Sequence, residues 1–323
     1  TLGDKYLTKE NRGFQEAKWK AHQQNAWFLP EFIEQSSHQI VTQFLQKEQM
    51  TNWVNLYPAI SNSNTGIKVG IVMAGNIPLV GFHDLLSVLI AGHTAVVKCS
   101  SKDTVLIQFV IDALNEINPA FKDLIIVQEQ LKNCDAYIAT GSNNTLRYFE
   151  AYFGKYPHIL RHSRTSVAVL DGTETQEELL ALGHDIFDYF GLGCRNVCKV
   201  YLPKGYDLNQ IIAALLPFQS VSKHNKYANN YDYNKAVWLL NKVPLLENGF
   251  MLFKEDTSLV APTASLFYEH YDDQSILLKQ LAERKNQLQC IVGHGHTPFG
   301  QAQCPLLTDY ADGVDTMQWL VNL

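Results

Sequence analysis

One cysteine stands where a nucleophile could be placed. In the segment Phe190-Gly-Leu-Gly-Cys194-Arg-Asn-Val-Cys198, Cys194 lies between a predicted helix and a predicted strand, after two glycines. Glycines let a backbone, a substrate or a cofactor approach closely, and a thiol on such a bend attacks an electrophile if its pKa is lowered. The segment by itself also fits a buried structural cysteine, which is the commoner case. Cys198 falls inside the predicted strand and is interpreted as a core residue.

The other cysteines and the histidines show no metal-binding pattern. Cys194 and Cys198 are spaced CxxxC, and no second Cys/His pair of zinc-site spacing follows, so no metal site is predicted. His294 and His296 lie in a Gly-His-Gly-His run without a third ligand and are interpreted as loop residues. The six cysteines are scattered, which is typical of reduced thiols in a cytoplasmic protein.

The elements that must position these residues alternate along the chain. Residues 1–57 are polar and helix-prone, after which short apolar runs alternate with longer amphipathic ones. Strands are predicted at 67–73, 94–98, 124–127, 136–139, 166–170 and 196–202, and helices at 78–91, 103–117 and 174–190. This alternation predicts a parallel sheet with crossover helices. The Asp171-Gly172 turn signal predicts a domain boundary, giving domains 1–172 and 173–323.

Composition excludes some functions. The 323 residues are 46% hydrophobic and 18% charged, so a sizeable core is expected. The formal net charge of -6 argues against a nucleic-acid partner, which would need a basic surface. No apolar run approaches the ~20 residues needed to span a bilayer.

Four segments, read in order, resemble a known superfamily. The resemblance is to the aldehyde dehydrogenases and, in detail, to the LuxC-like acyl-CoA reductases, and it covers roughly residues 67–271. The segments that carry it contain Asn76-Ile77-Pro78, Val97-Lys98-Cys99-Ser100, Thr140-Gly141-Ser142, and Cys194 followed by Lys199-Val200-Tyr201. The segment 224–239, rich in Asn and Tyr, is also similar to the LuxC-like branch.

The resemblance implies a fold class and a domain plan. The fold is α/β and aldehyde-dehydrogenase-like, with an open parallel-sheet cofactor domain and a smaller α/β catalytic domain. On this plan, residues 1–172 bind a nicotinamide cofactor and include a helical N-terminal segment, and residues 173–323 carry the catalytic cysteine.

Residue roles also follow from the resemblance. It makes Cys194 the nucleophile and Asn76 the amide donor to the substrate oxyanion; Asn76 alternatively caps the helix predicted from Pro78. The resemblance also implies cofactor contacts for five residues. These are Lys98 at the adenosine ribose, Thr140, Gly141 and Ser142 at the pyrophosphate, and Glu255 at the nicotinamide ribose, although the Phe-Gly-Pro that follows this Glu in the family is absent.

Two departures from the family pattern refine the predicted reaction. Leu160 stands where oxidising members have the Glu that activates hydrolytic water, and His162 is the nearest candidate substitute. Ser101 stands where NAD-using members have a ribose-binding Glu, and Lys102 follows it. A missing negative charge and an added positive one favour a 2′-phosphate, so NADPH is the predicted cofactor, with NADH left open.

The prediction is therefore an acyl-CoA reductase. NADPH-dependent reduction of an acyl-CoA gives an aldehyde through a covalent acyl-cysteine. Two alternatives stay open: a CoA-acylating or other aldehyde dehydrogenase on the same fold, and a non-catalytic binding protein that keeps the fold. The expected partner is the acyl-CoA substrate, and homo-oligomerisation is left open.

Overall fold

Alternating strands and helices build two sheets, each within its own part of the chain. The computed structural model describes residues 1–62, 66–141 and 143–323. The first unit comprises Thr1–Ser163 and Pro305–Leu323, and the second comprises Arg164–Cys304. The α/β class predicted from the sequence is confirmed.

The first unit contains a five-stranded sheet in which every neighbouring pair is parallel. Its order is β3-β2-β1-β4-β5. The central strands are short apolar runs rich in Val, Ile and Ala and are largely buried, as expected for a parallel sheet covered by helices. The strands are β1 (Lys68–Val72), β2 (Thr94–Lys98), β3 (Ile125–Val127), β4 (Ala136–Thr140) and β5 (His158–Arg161).

The helices of the first unit include the helical N-terminal segment that the sequence predicts. The main ones cover the sheet with apolar faces, and α2 begins at an Asn11 cap whose side chain accepts from the Phe14 N–H at 2.8 Å. They are α1 (Leu2–Lys5), α2 (Arg12–Gln24), α3 (Pro30–Gln39), continued by a π-helical turn at Ile40–Phe44, α4 (Lys47–Asn55), α5 (Phe82–Ile90), α6 (Thr104–Ile117), α7 (Phe121–Leu124) and α8 (Asn143–Phe153).

One helix start differs from the prediction. The helix expected from Pro78 begins only at Phe82. Leu79 adopts a left-handed backbone conformation, with φ of 58°, and its N–H donates to the Asp103 carboxylate at 2.7 Å. A left-handed residue does not fit a right-handed helical turn, so the helix cannot begin at Pro78, and the contact with the distant Asp103 holds Leu79 in place.

The second unit contains a six-stranded sheet with order β11-β6-β7-β10-β9-β8. All its pairs are parallel except β8 with β9, which is antiparallel. The strands are β6 (Thr165–Val169), β7 (Val197–Pro203), β8 (Leu246–Glu247), β9 (Leu252–Glu255), β10 (Ser265–Tyr271) and β11 (Leu288–Val292). The helices are α9 (Gln176–Phe187), α10 (Asn209–Ala214), α11 (Asn225–Leu240) and α12 (Gln274–Glu283).

The division between the units falls before the predicted boundary at residue 172. Strand β6 pairs with β7 and β11, so its hydrogen bonds place it in the second sheet and move the division to Ser163/Arg164. The chain also returns, since residues 305–323 belong to the first unit. Periodicity along the chain could not reveal either feature, because both depend on pairing between distant segments.

The returning segment is fastened to the first unit by core packing and by hydrogen bonds. It ends in helix α13 (Thr316–Val321), and Met317 and Leu320 are fully buried. The His83 and His93 rings each form a hydrogen bond to its carbonyl groups, at Leu307 (3.0 Å) and Leu320 (2.9 Å).

A buried ion pair lies beneath this segment. The Arg161 guanidinium contacts both carboxylate oxygens of Asp84, at 2.7 and 2.9 Å, and donates to the Thr316 hydroxyl at 2.8 Å. Arg161 and Asp84 are each about 5% exposed. Because buried charges are tolerated only when they are paired, this contact ties β5, α5 and α13 together.

Among the described residues, no helix combines the length and the apolar character needed to cross a bilayer.

Replacing one partner of the buried pair should destabilise the first unit. Asp84→Asn leaves the Arg161 charge buried without a counter-charge, and we expect a loss of about 3 kcal/mol in the free energy of unfolding. The exposed Arg12–Glu16 pair, at 3.0 Å, provides the control. Glu16→Gln should cost less than about 0.5 kcal/mol. Urea unfolding of both variants measures the difference, and equal losses would contradict the structural role given to Asp84.

Candidate active site

The sequence-predicted residues of the first unit meet at one edge of its sheet. Asn76 lies in the loop after β1, Lys98 ends β2 and Thr140 ends β4. In the parallel register, Val72 at the end of β1 is paired with Lys98 on one side and with Ala139 on the other. The carboxyl ends of parallel strands are where α/β proteins bind ligands, so this edge is the candidate cofactor site.

The Asn76 loop is held by buried polar contacts. The Ser36 hydroxyl donates to the Pro78 carbonyl at 2.8 Å, and the Asp103 carboxylate accepts from the Leu79 N–H. Asp103 is 2% exposed, and burial raises the pKa of its carboxyl group well above the ordinary range. Asn76 itself is exposed at the surface of this loop.

The capping alternative for Asn76 is wrong. The residue that precedes helix α5 is Gly81, so Asn76 is too far upstream to cap it. A close approach shapes the loop instead: a Cβ on Gly75 would come within 2.4 Å of the Ser100 hydroxyl oxygen. Glycine at position 75 therefore lets the loop after β1 lie against the loop after β2.

That second loop is cationic and exposed. Lys98, Ser101 and Lys102 are all exposed, and neither lysine forms an ion pair within the described part of the chain. The Lys102 N–H donates to the Ser100 hydroxyl at 3.3 Å, which fixes the backbone of the loop. Exposed ammonium groups without carboxylate partners, at the carboxyl edge of a sheet, suit a phosphate-bearing ligand.

The Thr140-Gly141-Ser142 motif joins β4 to α8, as predicted. The Gly141 N–H donates to the Arg161 carbonyl at 3.4 Å and is thus engaged with β5. N–H groups for an anion must then come from the first turn of α8, where helices leave their leading N–H groups without intrahelical partners. Ser142 lies outside the described residues.

No carboxylate occupies the position of the absent Glu. Leu160 lies in β5, partly buried and paired in register with Ala139. His162 follows β5 and is exposed, and its backbone N–H donates to the Asp312 carboxylate at 3.0 Å.

In the second unit, Cys194 lies on a strained loop just before β7. Helix α9 ends at Phe187, and Tyr189, Phe190 and Gly191 follow in left-handed backbone conformations with φ of 55°, 57° and 73°. Each non-glycine residue in that region costs ~1–2 kcal/mol. Such strain persists only where the surroundings enforce it, and it clusters at functional sites.

Aromatic packing offsets this strain. Tyr189 and Phe190 are 3% and 2% exposed. The Phe190 ring lies 4.4 Å from the His224 ring and 5.8 Å from the Tyr227 ring, measured between centroids. Burying an aromatic side chain of this size contributes ~2 kcal/mol or more, which is comparable to the cost of its backbone conformation.

A buried asparagine holds the loop closed. Asn196 is 1% exposed, and its side-chain oxygen accepts from the Gly193 N–H at 2.8 Å. Its side-chain amide donates to the carbonyl groups of Asp185 and Asp188, at 3.0 and 2.8 Å. Asn196 therefore joins the end of α9 to the residue that precedes Cys194.

A serine holds Cys194 from the other side. The Ser166 hydroxyl, in β6, donates to the Cys194 carbonyl at 2.9 Å and accepts from the Cys290 N–H at 3.1 Å. The Cys194 loop is thus fixed both to the end of a helix and to the interior of the sheet.

Burial affects the thiol groups of four other cysteines. Burial is the main cause of a raised pKa at Cys99 (to about 11), Cys134, Cys198 and Cys290, which disfavours the thiolate at each. The Cys198 thiol also lies 2.8 Å from the Thr165 hydroxyl and donates to the Leu259 carbonyl at 3.1 Å. Its predicted packing role is consistent with these contacts.

Glu255 ends β9 and is exposed. Tyr268 of β10 pairs in register with both Glu255 and Val200. Strand β9, which ends at Glu255, is therefore separated from β7 by β10. Val200 lies three residues beyond the start of β7. At ~3.3 Å per residue, Glu255 is thus about 10 Å further along the strand direction than the start of β7, which follows Cys194. The His270 Nδ1 lies 3.7 Å from the Glu255 carboxylate.

Asn196 and Ser166 hold the loop of the candidate nucleophile, and sequence reasoning missed both. An asparagine two positions after Cys194, in a segment with glycines, is a turn signal, and it could have indicated a loop fixed by a side chain. Ser166 carried no local signal, because its partners lie far away in the sequence.

Removing the Asn196 amide should loosen the nucleophile loop. Asn196→Ala leaves one N–H and two carbonyl groups without their partner, so we expect a loss of about 3 kcal/mol in unfolding free energy and faster hydrogen exchange in residues 188–197. Asn209, whose side chain is exposed and donates to Asp207 at 2.9 Å, provides the control. Asn209→Ala should change stability by less than about 0.5 kcal/mol. Unchanged hydrogen exchange at the Gly193 N–H in Asn196→Ala would show that the Asn196 side chain does not hold the loop.

Solved structures with a similar fold are aldehyde dehydrogenases and related enzymes. Aldehyde dehydrogenase 21 from Physcomitrella patens has a TM-score of 0.59 and 13% identity, with 90% of this chain and 74% of that chain covered. An E. coli NADP-dependent enzyme also has a TM-score of 0.59 and 13% identity, with 86% and 68% covered. These likenesses establish the aldehyde-dehydrogenase-like fold.

Sequence comparison gives a narrower placement. A curated relative, the long-chain acyl-protein thioester reductase of Aliivibrio fischeri, is 23% identical over 245 residues. That match covers 68% of this chain and 50% of the relative, so the chain spans about half the relative's length. The family model described as acyl-CoA reductase (LuxC) matches residues 11–215. The chain belongs to the LuxC acyl-CoA reductase family.

Proposed function

We propose that this chain reduces an acyl-CoA to an aldehyde, with NADPH as the hydride donor and an acyl thioester on Cys194 as the intermediate. The observation that carries the proposal is the Cys194 loop, which is strained at Tyr189 and Phe190 and fixed through Asn196 and Ser166. Membership of the LuxC family and the curated relative's name support the reaction class.

The choice of nucleophile follows from comparing the cysteines. Burial disfavours the thiolate at Cys99, Cys134, Cys198 and Cys290, which argues against each of these four as the nucleophile. Cys194 lies on the fixed and strained loop, and it is also the residue that matches the family's nucleophile.

The reaction balances with the groups named. The Cys194 thiolate attacks the thioester carbonyl, the C–S bond to CoA breaks, and CoA leaves as a thiolate that takes up a proton. A bound nicotinamide supplies a hydride, which reduces the acyl group by two electrons. Collapse of the resulting thiohemiacetal anion on Cys194 releases the aldehyde and restores the thiolate. Asn76 donates its side-chain amide to the negatively charged oxygen, a contact of a kind that contributes ~3 kcal/mol to the transition state.

The first unit offers residues that fit the cofactor. Lys98 and Lys102 place two exposed cations at the carboxyl edge of its sheet, the edge at which α8 also begins after β4. In the proposal, the residues that hold NADPH are Lys98, Ser101, Lys102, Thr140, Gly141 and Ser142, with Glu255 at the nicotinamide ribose.

Leu160 favours the aldehyde over the acid. A leucine side chain cannot take a proton from water, so the position that activates hydrolysis in oxidising relatives is inert here. The acyl-enzyme should therefore persist until a hydride reaches it. CoA-dependent aldehyde oxidation is the reverse of the same reaction and uses the same residues.

Cysteine variants provide the primary test. Cys194→Ala should abolish aldehyde formation from acyl-CoA and NADPH, because no other group forms the acyl-enzyme. Cys198→Ala and Cys304→Ala should keep the rate within several-fold of wild type. Product analysis and mass mapping of the trapped acyl group give the measurement. An active Cys194→Ala variant, an acyl group on another cysteine, or a wild-type chain inactive with acyl-CoA would contradict the proposal.

Cofactor preference tests whether the β2 loop, the loop after β2 that contains Ser101 and Lys102, contacts the 2′-phosphate of NADPH. Wild type should use NADPH with several-fold higher kcat/KM than NADH at low salt, because an opposite charge near the surface contributes ~1 kcal/mol. Ser101→Glu should remove that preference by repelling the 2′-phosphate.

The matched control for this variant is Ser222→Glu, an exposed serine in the second unit. It should leave the cofactor ratio unchanged, since its added charge lies outside the β2 loop. A Ser101→Glu variant that still favours NADPH would show that this loop does not contact the 2′-phosphate.

A further inference from the structure

A second polar cluster lies at the carboxyl edge of the second unit's sheet. Asp171 and Glu174 follow β6, and His294 follows β11, the parallel neighbour of β6. Cys194 precedes β7 and therefore lies toward the opposite, amino edge of the same sheet. The cluster is thus separate from the nucleophile loop, and the proposed reaction does not use it.

The donor atoms of the cluster converge. One ligand atom from each of Asp171, Glu174 and His294 can be chosen so that all lie within 4.8 Å of one another. His294 Nδ1 and Asp171 Oδ2 are 2.9 Å apart. Zinc binds imidazole nitrogen and carboxylate oxygen at ~2.0–2.2 Å, which places neighbouring ligand atoms ~3 Å apart. This pair already has a spacing that a shared metal ion requires.

The three residues are oriented by further contacts. His294 Nε2 lies 3.0 Å from the Glu178 carboxylate, which leaves Nδ1 directed at Asp171. The remaining oxygen of Asp171 accepts from the N–H and hydroxyl groups of Thr173, and the Glu174 carboxylate accepts from the backbone N–H groups of residues 171 and 172. A carboxylate behind a metal-binding histidine is the arrangement that fixes the ring and its tautomer in metal sites.

Charge at the cluster is strongly negative. Asp171, Glu174 and Glu178 contribute three carboxylates, and no lysine or arginine forms an ion pair with any of them in the described chain. Among the described residues, the His294 ring is the positively charged partner of these carboxylates, because its hydrogen bonds to Asp171 and Glu178 raise its pKa to about 9.

An independent observation comes from Tyr206. Its hydroxyl oxygen is buried and has no hydrogen-bond partner among the described residues. Tyr206 follows β7, the parallel neighbour of β6, so it lies at the same edge of the sheet as the cluster. Burial, followed by the negative charge of Glu174, raises the pKa of this hydroxyl to about 12. A water molecule on a metal held by Glu174 would give this hydroxyl the partner that the protein does not supply.

We propose that Asp171, Glu174 and His294 form a binding site for a divalent transition metal of the zinc type, with Glu178 orienting the histidine. The donor set is one imidazole nitrogen and two carboxylate oxygens, which suits such a cation and leaves a position for water. The metal would join the end of β6 to the end of β11 and so stabilise this edge of the sheet.

This proposal departs from the sequence-based expectation of no metal site. His294 and His296 are close in sequence, yet the two carboxylates that the fold brings to His294, Asp171 and Glu174, lie more than a hundred residues upstream. His296 is not part of the proposed set, so it provides a control within the same loop.

Metal titration of the whole chain tests the proposal. Zn²⁺ is followed by calorimetry and Co²⁺ by visible absorption, with each ion added alone to metal-free protein. We expect one saturable site, with binding at least tenfold weaker in His294→Gln and in Asp171→Asn and unchanged in His296→Gln. Asp171→Asn keeps an oxygen for Thr173, so it decides the question if His294→Gln fails to fold.

Three outcomes would overturn the site. The first is the absence of saturable binding, which would leave the cluster as an ion-paired histidine only. The second is binding of equal strength in His294→Gln or Asp171→Asn. The third is an intense near-ultraviolet Co²⁺ band from thiolate ligation, which would assign the bound ion to cysteines instead.

Discussion

Parallel strand pairing is the constraint on which both candidate sites at sheet edges depend. A parallel strand delivers its carboxyl end to the same edge as its neighbours, so residues far apart in the sequence lie close together there. The loops after β1, β2 and β4 meet in this way around Val72 and Lys98. The loops after β6 and β11 meet likewise, and they bring Asp171 to His294.

Parallel strand pairing does not position the Cys194 loop in this way, because the loop precedes its strand, β7. Other interactions fix it instead: the left-handed residues after α9, the Asn196 amide and the Ser166 hydroxyl. Backbone strain, buried rings and a fully used side-chain amide compensate one another within a few residues. The loop is consequently held by side-chain contacts rather than by strand pairing, and the attack proposed for the Cys194 thiol requires such fixed positioning.

Local patterns were sufficient to predict the α/β class and six of the eleven described strands, β1–β4, β6 and β7. They failed where a distant group decides the backbone. The left-handed Leu79, whose N–H donates to the distant Asp103 carboxylate, delays the start of α5, and β11 draws β6 into the second sheet. The parts played by Asn196 and Ser166 depend on partners that only the folded chain supplies. The catalytic and cofactor roles of Cys194, Asn76 and Glu255 remain predictions, because they concern substrates rather than contacts within the chain.

The C-terminal segment has a consequence for how this protein is made. Tyr310 forms hydrogen bonds to Trp53 and Tyr57 at 2.7 and 2.8 Å, and the Thr316 hydroxyl accepts from Arg161, so the first unit includes residues that are synthesised only after the second unit. During translation, its sheet must wait, with these partners missing, while the whole of residues 164–304 is synthesised. At ~5–20 residues per second, that interval lasts about ten seconds or more. A chaperone that shields the incomplete first unit would act during this interval.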